Sequence, residues 1–121
     1  MSFLVSPEMK MEIGGKAYTL SPTTECLKKI QQHFKKDILA VMLEMPQMSF
    51  DAQAKIIEIA IEDFGDVPPA LSVIEQWIVD EIGITAIRNI MQGWLVIVTS
   101  PKKEREEQIK TVGEFLKARG L

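Results

Sequence analysis

The chain has 121 residues, 46% hydrophobic and 26% charged, enough for one core that needs no disulfide or metal staple. Its net charge of −3 is spread unevenly: residues 1–48 carry six lysines against five acids, 49–82 one lysine against eight acids, and 83–121 seven basic residues against four acids. The acidic middle argues against a nucleic-acid partner, which needs clustered Lys and Arg, and the single cysteine, Cys26, excludes an intrachain disulfide or a multi-cysteine zinc site and suits a reducing, intracellular compartment.

Met1–Val5 lacks the basic region and long apolar stretch of a secretory signal, so export is not expected. Met9–Ile13 alternates apolar and polar residues, Gly14-Gly15 supplies positive dihedrals for a two-residue turn, and Lys16–Leu20 returns as a second strand. Pairing Ile13 with Lys16 sets Met11 opposite Tyr18 and Met9 opposite Leu20 on one face, which needs a helical cover. Ser21-Pro22 reads as a cap and first-turn proline for a helix from about Pro22 to Lys35, with Leu27, Ile30 and Phe34 at helical spacing. Asp37 caps a short second helix bearing Ile38, Leu39, Val41, Met42 and Met45, which has so little polar surface that it must contact something, and Pro46 ends it.

Ser49 opens a third helix with Asp51, Lys55, Glu58 and Glu62 on one stripe, Ile56, Ile57, Ala60, Ile61 and Phe64 on the other, and Gly65 as its stop. Ser72-Val73-Ile74-Glu75 has capping-box spacing for a fourth helix that buries Ile74, Trp77, Ile78 and Ile82 and stops at Gly83. The fifth helix, with Ile84, Ile87, Ile90, Met91, Trp94, Leu95 and Val98, has an apolar belt wide enough for the centre of a bundle. Its neighbourhood is the most apolar in the chain, yet Arg88, Asn89, Gln92 and Gly93 break the run of about 20 apolar residues that spanning a membrane requires. Ser100-Pro101 restarts a last, strongly charged helix with only Ile109, Val112, Phe115 and Leu116 as an apolar stripe. Together these elements predict a mainly α, single-domain helical bundle of about five to six helices with an N-terminal β-hairpin: hairpin 9–20, helical core 22–99, and a charged, loosely docked C-terminal helix 100–121.

Candidate chemistry is sparse. His33 lies beside Lys35 and Lys36, off the apolar stripe, and reads as exposed, while Cys26 reads as buried packing. Glu62, Asp63 and Asp66, with Asp80 and Glu81, are the only dense carboxylates; a divalent cation or an acid/base pair is the sharp alternative, but the spacing around Gly65 is not that of a calcium loop, and a solvated helix end is the simpler reading. No catalytic, cofactor-binding or metal-ligating residue is assigned, and no enzyme activity is expected. Seven methionines are the clearer excess. Met42, Met45 and Met48 cluster around Pro46 and, with Trp77 and Trp94, are the candidate client-binding residues, since thioethers re-pack around varied shapes and tryptophans anchor interfaces; core filling is the competing role for all five.

The order of these elements, with Gly14-Gly15-Lys16-x-Tyr18-x-Leu20 leading into the first helix, Phe34-Lys35-Lys36-Asp37-Ile38-Leu39 at its junction and Pro69 to Glu81 as the capped later helix, resembles the tail assembly chaperones of long-tailed bacteriophages or prophages. The resemblance covers roughly Met9 to Val98 and departs near Lys36, where the family often has glycine. It implies a non-catalytic protein of the bacterial host cytoplasm, outside the mature virion, that binds and solubilises the tape measure protein while the tail tube protein assembles, with self-association as a further implication. An unrelated small helical adaptor or regulatory subunit shares every composition argument and differs only in its client.

Overall fold

The computed structural model describes residues 9–21 and 23–120; the expectations placed on Met1–Val5 and on Pro22 lie outside them. Strands β1 (Met9–Ile13) and β2 (Lys16–Leu20) pair antiparallel in the register anticipated, Met9 with Leu20, Met11 with Tyr18 and Ile13 with Lys16. Both turn glycines take positive φ, 62° at Gly14 and 82° at Gly15, the primed turn whose twist matches the strands. Met9, Met11, Ile13, Tyr18 and Leu20 are buried on one face. Their cover is α3 (Phe50–Phe64), and the Ser21 N–H donates to the Ala60 carbonyl at 3.1 Å, fastening the end of β2 to that helix.

Helix α1 spans Thr24–Phe34. Its cap is Thr23, whose Oγ1 accepts from the Cys26 N–H, and not the Ser21-Pro22 pair; Ser21 Oγ is drawn away to Asp63 at 2.8 Å. The helix closes on Lys35 with φ 55°, a left-handed position where glycine is the usual occupant. Asp37 caps α2 (Ile38–Glu44) as expected, its Oδ1 accepting from the Leu39 N–H at 2.9 Å. Pro46 does not end the path at once, because Met45–Gln47 tightens into a 3-10 turn that tolerates proline near its start.

Helix α3 stops at Gly65, with φ 106°. Helix α4 (Leu71–Trp77) begins before the predicted cap: Ala70 follows two prolines in extended backbone and its carbonyl accepts from the N–H groups of Val73 and Ile74. Ser72 therefore lies inside the first turn and caps nothing. Beyond Trp77 the helix widens into a π turn, Ile78–Ile82, and ends at Gly83, with φ 95°. Helix α5 (Ile84–Thr99) then leaves at 107° to the axis of α4. Among the described residues no single helix is long and apolar enough to cross a membrane.

As predicted, α5 is the central element, with Ile87, Ile90, Met91, Trp94, Leu95, Ile97 and Val98 all buried. After a 3-10 turn at Lys102–Glu104, α6 (Arg105–Ala118) lies along α5, burying Val112 and Leu116, while Arg105 donates to the carbonyls of Val98 and Ser100. A single apolar cluster runs from the hairpin through to α6. Two aromatic residues assigned to buried stripes stand further out: Phe64, last in α3, is 49% exposed, and Phe115 on α6 is 44% exposed with the Arg119 guanidinium over its ring.

Candidate protein-docking surfaces

The five residues expected to receive a client are mostly interior. Met45 and Trp94 are fully buried, Met48 and Trp77 nearly so, and only Met42 is partly exposed, packed against the core edge. The three methionines lie on and after α2 and Trp94 on α5, which pack together, while Trp77 lies on α4. The apolar surface that does face outward on α2 is Leu39 and Leu43, one helical turn apart and 53% and 74% exposed. Val41, on the opposite side, is buried.

Polar groups add to the burial of Val41 and Met45 in holding α2 in that orientation. At its start Gln31 Oε1 accepts from the Ile38 N–H at 2.8 Å, and Lys36 bridges to Glu44 at 2.7 Å along the exposed side. At its end three side chains donate to main-chain carbonyls of α2 and of the turn that follows it. Gln92 reaches Met42, Gln53 reaches Met45 and Arg88 reaches Met48, at 3.4, 3.3 and 2.7 Å. Sequence reading saw Arg88 and Gln92 only as interruptions of an apolar run and did not single out Gln53. Gln53 is fully buried on α3, its Nε2 also meeting the Met45 sulfur, while its Oε1 has no hydrogen-bond partner among the described residues.

The carboxylates suspected of chemistry divide. Asp63 accepts from Ser21, Thr23 and Lys29 at 2.8, 2.6 and 2.9 Å, tying the β2–α1 connection to α3. Burial alone would push its carboxyl up, but the hydrogen bonds from Thr23, Lys29 and Ser21 outweigh this and hold it below the usual carboxylate range. The same hydrogen bond holds the Lys29 ammonium above its ordinary value. Asp66 pairs with Lys16. No group of three or more His, Cys, Asp or Glu fit to hold a metal ion occurs among the described residues. The Cys26 thiol, enclosed by the core and near Asp63, is pushed up to about 12 and so carries almost no nucleophilic thiolate at neutral pH. His33 is exposed, edge-on to Phe34.

A second outward feature lies at the other end of the bundle. An open groove of about 430 Å³ runs between the hairpin turn and α4, with Ile13, Val73 and Trp77 as its apolar lining and Gln76, Asp80 and Glu81 as its polar side. No family model matches the chain, nor does any curated protein or solved structure.

Proposed function

We propose that this chain is a non-catalytic protein-binding chaperone of the phage tail assembly kind, acting in the bacterial host cytoplasm to hold the tape measure protein soluble while the tail tube protein polymerises, with self-association along the client. The observation that carries the reading is the pair Leu39 and Leu43, largely exposed on a helix whose other side is anchored to the core. Leucines one turn apart form a ridge that an amphipathic client helix can straddle. Covering what remains exposed of each contributes roughly 1–2 kcal/mol. The engagement of Asp63 and Asp66 in ion pairs and the raised pKa of Cys26 support a role without chemistry.

The test is co-expression with a phage tape measure protein. The wild-type chain is expected to keep it soluble and to co-purify with it. Leu39→Gln with Leu43→Gln keeps helix-compatible side chains and should abolish retention while moving Tm by less than about 2 °C, as surface changes do. Failure of the wild-type chain to retain the protein, or full retention by the double variant, would overturn the assignment.

A further inference from the structure

The groove between the hairpin turn and α4 is distinct from the α2 ridge and has its own chemistry. Its lining is apolar, Ile13 and Trp77 being almost wholly buried and Val73 half-exposed, while Asp80 and Glu81 stand exposed along one side. No lysine or arginine lines it. The nearby cations are committed elsewhere: Lys16 beside the hairpin turn pairs with Asp66, and Lys55, the one basic residue of 49–82, pairs with Glu58.

Asp80 accepts from Gln76 Nε2 at 2.6 Å, one turn back in the same helix, and Glu81 stands next to it. They sit in the last turn of a helix that runs from Leu71 to Ile82, where the carbonyl ends already concentrate negative potential and a carboxylate is unfavourable. That turn is also a π turn. Val73, Trp77 and Glu81 follow one another at i+4 spacing and so share one face of the helix, with Gln76 and Asp80, also i+4 apart, beside them on the groove. Helical spacing thus makes one acidic edge along an apolar lining.

We propose that this groove docks a basic, apolar-anchored helical segment of a partner protein, one apolar side chain resting on Val73 and the accessible edges of Ile13 and Trp77 while Lys or Arg one turn away meets Asp80 and Glu81. Charge complementarity selects this occupant: residues 49–82 carry eight acids against one lysine, so an acidic segment is repelled and a basic one is steered in. This reading goes beyond the α2 ridge and stands independently of it.

The test is an NMR titration of the isotope-labelled full chain with a synthetic peptide of about 14 residues, leucines at i, i+3, i+4 and i+7 and lysine elsewhere, against a control with glutamate replacing lysine. Saturable shifts are expected at the amides of Ile13, Val73 and Gln76 and at the Trp77 indole, from the lysine peptide only. Asp80→Lys with Glu81→Lys should weaken binding about tenfold or more, with the fold retained. Absence of saturation by the lysine peptide, equal binding of the glutamate peptide, shifts centred on Leu39 and Leu43, or an unchanged Kd in the charge-reversed variant would each overturn the proposal. The Leu39→Gln/Leu43→Gln variant should bind the lysine peptide as the wild-type chain does, so failure of the groove and failure of the ridge are read separately.

Discussion

At the scale of single residues, Lys35 and Asp63 carry the sharpest consequences. Lys35 is the only non-glycine residue with positive φ among those described, and a side chain in that region costs roughly 1 kcal/mol. Lys35→Gly should raise stability by roughly 0.5 kcal/mol in urea denaturation, the relief being partly offset by the greater freedom of glycine in the unfolded chain. Asp63 contributes with the opposite dependence on chemistry. Its folded carboxyl is held below the unfolded value, so the folded state binds fewer protons than the unfolded one as pH falls past about 4. The contribution is complete above the unfolded pKa and is lost as pH drops through the folded one. Lys29 runs the other way, its contribution intact at neutral pH and lost only in strong alkali. Asp63→Asn should cost roughly 1–3 kcal/mol at pH 7. In chemical denaturation across pH 2–7 the variant should lose less stability than the wild-type chain below pH 4, so that the two converge in acid.

At the scale of elements, stability and binding make opposite demands on the end of α4. Reversing Asp80 and Glu81 to lysine places cations at a helix C-terminus, where each is worth roughly 0.3–1 kcal/mol, so thermal unfolding of the double variant should rise by about 2–5 °C even as it loses the basic peptide. A merely structural pair of carboxylates would not give opposite signs in the two measurements. Helix ends also show where local signals compete. Asp37, Gly65 and Gly83 act as read from the sequence because each terminates its own helix through its own backbone or side chain. Ser21 and Ser72 do not. Asp63, more than 40 residues away in the chain, takes the hydroxyl of Ser21, and the extended backbone after Pro68-Pro69 starts α4 ahead of Ser72.

At the scale of the molecule, the methionine and tryptophan residues that look like an adaptable docking set are the material of a continuous core. Met45 has no exposed surface and supports Gln53 through both its carbonyl and its sulfur. Met45→Lys therefore buries a charge without a partner and should unfold the chain or lower its Tm steeply, taking client retention with it. Leu39→Gln with Leu43→Gln separates the two effects, and circular dichroism melts beside the co-expression assay give the comparison.

The hairpin was legible in the sequence down to its register, because a period of two and a Gly-Gly turn leave one pairing that puts five apolar side chains on a single face. The helices were legible because their apolar stripes repeat at helical spacing between strong stop signals, and the central place of α5 followed from the width of its belt. Tertiary structure alone decided which side of α2 faces outward. A helix apolar nearly all round contains no instruction about which face to bury; that depends on the packing of Val41 against α1 and α5 neighbours and on Gln53, Arg88 and Gln92, distant in the chain, which hold its end and the following turn. The groove is likewise tertiary: Ile13 and Glu81 line one surface only when the hairpin turn comes beside α4 and the turn that follows it.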